Sequence, residues 1–229
     1  MTASPASSAS SATTHAARTV LVVGATGTIG RLTVAALLAE GHRVTAFARR
    51  PERLQMSDPN LRYAAGDATS LSDVRAAVSG HDTVIVALGA GASRSSRIRS
   101  QGTLTVIRAM QETGVSRLIC QSTLGAHESW SNLNFFWKRI MFGALLKPVF
   151  KDHELQESLV QASGLDWTIV RPSAFSDGDV AEPTTAPKVG FGPQEPRLRL
   201  KIARREVAGF LTRLVQDTTY LHRAVALSH

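Results

Sequence analysis

The chain has 229 residues, 43% hydrophobic and 19% charged, which suits one sizeable core and excludes a wholly disordered protein. Its single cysteine, Cys120, excludes an intrachain disulfide framework and a multi-cysteine zinc site. Lys and Arg total 26 against 18 Asp and Glu, and the resulting formal charge of +8 favours an anionic partner: nucleic acid, an acidic membrane surface or a phosphorylated cofactor.

Residues 1–17 are mostly Ser, Ala and Thr, with neither the basic nor the apolar region of a secretory signal. They are expected to form a disordered tail ahead of one folded domain over 18–229. No apolar run is long enough to span a bilayer, so the expected compartment is the cytoplasm. The run Thr19–Val23 reads as a buried parallel strand. The turn Gly24-Ala25-Thr26-Gly27-Thr28-Ile29-Gly30 follows, then a helix over Arg31–Glu40 that Gly41 stops. Further strands are expected at His42–Ala48, Leu61–Ala65, Thr83–Leu88, Ser116–Gln121, Asp166–Arg171 and Leu221–Leu227. Helices are expected at Leu71–Val78, capped by Ser70 or Ser72, and at about Ile98–Thr113. Two more are expected, in Asn134–Ala162 with a break near Pro148, and at Glu206–Gln216. Strands and helices alternating at this spacing form right-handed βαβ units. The expected fold class is therefore α/β: a single Rossmann-type doubly wound domain with a mainly parallel sheet.

The first strand–helix turn carries the chemistry. Gly24 permits the tight turn, Gly27 lets the backbone approach a pyrophosphate, and Gly30 lets helix pack closely on strand. The helix amino end then offers free N–H groups and partial positive charge to phosphates. At the end of the second strand, where an NAD site places a carboxylate, stands Arg49, with Arg50 and Arg53 beside it. Guanidinium groups pair with a 2′-phosphate that a carboxylate repels, so the expected cofactor is NADP(H). Asp67 and Ala68, after the third strand, are candidates for the adenine. Leu88 and Gly89, after the fourth, leave room for the nicotinamide ribose.

These motifs occur together with Cys120-Gln121-Ser122-Thr123 and with the segment Ser163–Pro172, which reads SGLDWTIVRP. In that order they resemble the atypical short-chain dehydrogenases/reductases with an NAD(P)-binding, NmrA-like domain, over 18–229. Within that group the chain looks most like the biliverdin-IXβ/flavin reductase branch. The resemblance implies that Thr26, Gly27, Thr28 and Ile29 hold the pyrophosphate and that Arg49 and Arg53 hold the 2′-phosphate. It also implies that Ser122 lies near the nicotinamide and the substrate, that Pro172 belongs to the cofactor site, and that Asp152 and His153 are a pair beside the substrate.

One departure is informative. Typical short-chain dehydrogenases use a Tyr-x-x-x-Lys pair for proton transfer. Here the two tyrosines, Tyr63 and Tyr220, are followed four residues on by Asp67 and Ala224. Alignment on the SGLDWT segment instead puts Val149 and His153 at the two slots. The expected activity is hydride transfer to a flat conjugated acceptor of flavin, quinone or tetrapyrrole type, whose proton can come from solvent. Ser122 and His153 are the candidate catalytic residues, His153 through a pKa near neutrality. The alternative is a non-catalytic NADP(H)-binding sensor. The segments around 127–162 and 174–203 are expected to cover the substrate, and the aromatic run from Asn134 is expected to form core or substrate wall, with a dimer interface second and membrane contact third. The basic run Arg197–Arg205 has no interleaved aromatic residue, which argues against nucleic acid as a partner. His127 and Glu128 have no third ligand at metal-binding spacing. Monomer and homodimer are both open.

Overall fold

Strand β1 (Thr19–Val23) is buried along nearly its whole length and divides the core. Val20 and Val22 point into one apolar cluster, Leu21 and Val23 into the other. That alternation is why an unbroken apolar run forms a central strand with a core on both faces. The computed structural model describes residues 16–89, 91, 96–132, 146–176, 186–190 and 200–229. The expected disordered tail therefore lies outside the described residues, apart from Ala16 and Ala17.

Six more strands run parallel to β1: β2 (Arg43–Ala48), β3 (Leu61–Ala65), β4 (Thr83–Val86), β5 (Arg117–Gln121), β6 (Asp166–Pro172) and β10 (Arg223–Ser228). Among the described residues the order is β3-β2-β1-β4-β5-β6-β10, with β8 (Lys188–Val189) antiparallel at the β10 edge. Chain order reverses between β1 and β4, so a crevice opens at the carboxyl ends of those strands. Short strands β7 (Ala174–Ser176) and β9 (Lys201–Ala203) pair separately. Helices α1 (Thr28–Ala39) and α5 (Arg204–Arg213) cover one face. Helices α2 (Leu71–Val78), α3 (Ile98–Thr113) and α4 (Lys147–Gln161) cover the other. The expected Rossmann-type α/β fold is the one observed.

Several boundaries differ from expectation for local reasons. Pro148 sits in the first turn of α4, where a proline lacks only an N–H that would be unpaired anyway, and the expected helical stretch before it falls outside the described residues. Ser70, not Ser72, caps α2 by accepting from the Asp73 N–H. Helix α5 begins at Arg204, where the Glu206 carboxylate accepts from the Ala203 N–H at 3.0 Å. The basic run is thus part strand and part helix, and Leu200 and Ile202 are buried. Its first residues, 197–199, and the aromatic residues 134–145 lie outside the described residues.

Two buried arginines tie the sheet to its surroundings. Arg117 donates to the Thr168 hydroxyl at 2.8 Å and to the Leu214 carbonyl at 2.9 Å, linking β5 and β6 to the end of α5. Burial lowers its pKa to about 10, so it stays charged at neutral pH. Arg171 on β6 is bonded by Nε and Nη2 to Glu157 of α4, with the shortest contact at 2.6 Å, and reaches Glu128 with Nη1 and Nη2. Glu157 is wholly buried. Removing one member of such a pair leaves an uncompensated buried charge. Glu157→Gln is therefore expected to lower stability by about 3 kcal/mol, read as a fall in the urea midpoint at unchanged slope.

Candidate active site

The glycine turn is shaped by backbone contacts. Gly24 has φ of +88°, and a Cβ there would meet the Ala87 carbonyl oxygen at 2.6 Å. A Cβ on Gly30 would strike the Gly24 carbonyl. Only glycine fits both places, so β1, α1 and the end of β4 converge without side chains between them. No side chain caps the amino end of α1, which opens on Gly27 and Thr28. Its first-turn N–H groups are the donors that an anion would use.

A cleft of about 1110 Å³ runs from this turn across the carboxyl ends of the strands. Gly24, Thr26, Gly27, Thr28 and Ile29 line its middle. Arg49, Arg53, Asp67 and Ala68 line the end beside β2 and β3, and Leu88, Gly89, Ser122, His153 and Pro172 line the end beside β4, β5 and β6. The structure thus brings the expected site residues together, with one correction. Arg50 does not line the cleft; it is exposed and precedes the turn Pro51–Leu54. That turn is braced, because Arg31 of α1 donates to the carbonyls of Arg53 and Leu54, both at 3.3 Å. Tyr63 adds a second brace, donating to the Met56 carbonyl at 2.6 Å. Arg53 is therefore presented by a loop already tied to the glycine-turn helix.

Asp67 Oδ1 accepts from the Thr69 N–H and hydroxyl, both at 2.8 Å. These bonds, with a smaller contribution from Arg49, hold its carboxyl below the usual range, so it faces the cleft ionised. A residue that sequence reasoning missed supports this wall. Gly102 of α3 packs on the cleft residues Leu88 and Ala68, and a Cβ there would meet the Leu88 side chain at 2.5 Å.

Ser122 follows β5 and is held by its own backbone, whose N–H donates to the Val170 carbonyl at 2.7 Å. Its Oγ lies 3.5 Å from His153 Nδ1. His153 does not have the near-neutral pKa expected of it. It is buried, and burial together with the nearby Arg99 charge lowers its pKa to about 3. The imidazole is neutral at physiological pH and can exchange a hydrogen bond with Ser122, but it does not store a proton. Asp152 is not its partner either. It caps α3, accepting from the Arg99 and Ser100 N–H groups at 3.2 and 3.1 Å. Neither tyrosine lines the cleft, and Tyr220 packs against Phe210. Val149, at the other aligned slot, lies on α4 and does not line the described cleft either. His127 bonds the Glu154 carbonyl at 3.2 Å, and no three metal-ligating side chains cluster among the described residues.

The NAD(P)H-binding protein family matches residues 24–218. The chain belongs to that family. Among curated proteins it is 37% identical over 112 residues to a 3-beta-hydroxysteroid dehydrogenase of Mycolicibacterium neoaurum, covering 44% of this chain and 30% of that one. It is 27% identical over 218 residues to the chloroplastic divinyl chlorophyllide a 8-vinyl-reductase of Oryza sativa subsp. indica, covering 87% of this chain. The chain spans about half the length of that reductase, 51%. Among solved structures, ChuY, an anaerobilin reductase of Escherichia coli O157:H7, shares 25% identity at a TM-score of 0.70, covering 91% of this chain and 96% of that one. A Veillonella parvula short-chain dehydrogenase/reductase in complex with NADP has a TM-score of 0.76 at 15% identity, covering 93% and 94%. The resemblance to atypical short-chain reductases holds, and NADP(H) agrees with the family and with that fold neighbour. No helix among the described residues is long and apolar enough to cross a membrane.

The histidine gives a pH signature. Its pKa is near 6.5 when unfolded and about 3 when folded. Between these values the unfolded chain binds a proton that the folded chain does not, so stability falls as pH drops through the window. The expected contribution to the slope is up to about 1.4 kcal/mol per pH unit. Urea titrations from neutral to acid pH should show this slope, and His153→Asn should flatten it.

Proposed function

We propose that this protein is an NADPH-dependent reductase of a flat, conjugated acceptor of flavin, quinone or linear tetrapyrrole type. The observation that carries the reading is a single cleft with two chemically different ends. Its middle holds a glycine turn and an uncapped helix terminus; one end holds Arg49 and Arg53, and the other holds a buried Ser–His pair and no tyrosine.

The residues present fit the dinucleotide. The turn leaves no Cβ in the path of a pyrophosphate, and the amino end of α1 supplies donors. Arg49 and Arg53 supply charge for the 2′-phosphate, which selects NADPH over NADH. Asp67 and Ala68 bound the adenine space. NADPH, when bound, supplies a hydride, two electrons with one proton, to an electron-poor atom of the acceptor and leaves as NADP+. The second proton that completes the reduction comes from solvent. Ser122 positions the acceptor by its hydroxyl, and neutral His153 orients that hydroxyl. Alcohol–ketone interconversion needs a proton donor tuned for an alkoxide, and no cleft-lining group among the described residues has the tyrosine–lysine chemistry for it. The reductase relatives act on tetrapyrroles by name, which supports this acceptor class.

The primary test follows NADPH absorbance with FMN, a naphthoquinone and biliverdin as acceptors. Oxidation accelerated by the protein is expected for at least one; tight NADPH binding with no turnover across the set would favour the sensor. Arg49→Asp is expected to weaken NADPH by about 10- to 100-fold, the scale of a charge-assisted bond, and NADH far less. Equal losses would contradict the 2′-phosphate assignment. Ser122→Ala is expected to lower turnover about tenfold while the NADPH dissociation constant holds; an unchanged rate would remove Ser122 from the mechanism.

A further inference from the structure

Arg99 lies in the first turn of α3 and lines the cleft on the side of Ser122 and His153. Its side chain is 13% exposed. Arg99 Nη1 forms a long ion pair with Asp152, whose Oδ2 lies 3.7 Å away, too far for a hydrogen bond to complete it. The Asp152 oxygens are already engaged: Oδ1 accepts from the Ser100 N–H and hydroxyl, and Oδ2 from the Arg99 backbone N–H. Arg99 Nη1 is left buried without a hydrogen-bond partner. A guanidinium carries five donors in a planar fork shaped to receive two oxygens of one carboxylate. Leaving such a donor desolvated and unpaired costs free energy, and an arriving anion recovers it.

Among the described residues, none lining this end supplies a carboxylate. His153 is uncharged, and among the described cleft-lining residues the one carboxylate, Asp67, stands at the adenine end. A second guanidinium lines the same cleft. Arg204, at the start of α5, sits 4.9 Å over the ring of Phe175, another lining residue. The acceptor end thus combines positive charge with an aromatic face.

We infer that Arg99 selects an acceptor bearing a carboxylate, which it pairs while the conjugated ring extends toward Ser122. This rests on the reductase reading for its chemistry, but the charge preference is separately measurable. The probes are a naphthoquinone carrying a propionate side chain and the methyl ester of the same compound. They share a reducible ring and differ in one charge. The wild-type protein is expected to favour the acid over the ester by at least about tenfold in kcat/KM, mostly through KM. In Arg99→Met the acid-to-ester ratio is expected to fall about tenfold or more, and Arg99→Lys to restore part of it. A purely structural role would lower both rates together and leave the ratio unchanged, which would overturn the inference. So would equal use of acid and ester by the wild-type protein, with the reductase reading intact. If neither compound is reduced, calorimetric titration of each into NADP+-loaded protein decides. Tighter, Arg99-dependent binding of the acid upholds the charge preference while the reductase reading falls. Equal binding, or none, overturns it.

Discussion

The approach of bare backbone at Gly24 is the constraint on which the molecule depends. There the end of β1, the start of α1 and the carbonyl of Ala87 come closer than any Cβ permits. The arrangement sets the amino end of a helix against the mouth of the sheet, where partial positive charge has no side chain to neutralise it. The same convergence places the ends of β2 and β4 on either side of the turn, so the two halves of the cleft are set by one contact. A methyl group at Gly24 or Gly30 would move these elements and both halves with them.

Charge is distributed along the cleft with a logic of its own. At the adenine end, Arg49 and Arg53 are exposed and well hydrated, and their loop is tied down by Arg31 and Tyr63. At the acceptor end the charge is buried and incompletely answered. Arg99 raises the local potential enough to help keep His153 neutral. Behind it, Arg171 and Glu157 neutralise one another inside the wall and contribute rigidity rather than field. Burial separates the two proposed roles: the hydrated arginines suit a landing site for a phosphate, and the dry one suits discrimination among acceptors.

The sheet was readable from the chain because parallel strands covered on both faces are continuous apolar runs, and β1 and β4 are of that kind. The glycine turn was readable because its residue types answer a backbone need that is local. What escaped depended on distant partners. Arg99 looks like an ordinary helix residue until Asp152, 53 positions away, is found occupied with the helix end. The near-neutral pKa expected of His153 assumed solvent, and burial in the wall of α4 removed it. Arg50 shares its composition with Arg49 but faces away from the cleft, since Pro51 turns the chain between them and Arg53. Strands β7 and β9 are three residues each, too short for a period to register, and they pair only because the ends of β6 and α5 bring them together.

The outer border of the sheet has a consequence for assembly. Among the described residues, the ladder beyond β10 ends on the two residues of β8, antiparallel and headed by Lys188. So brief and polar a margin offers little template for a second polypeptide to join by main-chain pairing. Among the described residues, self-association by strand pairing is therefore disfavoured on that side.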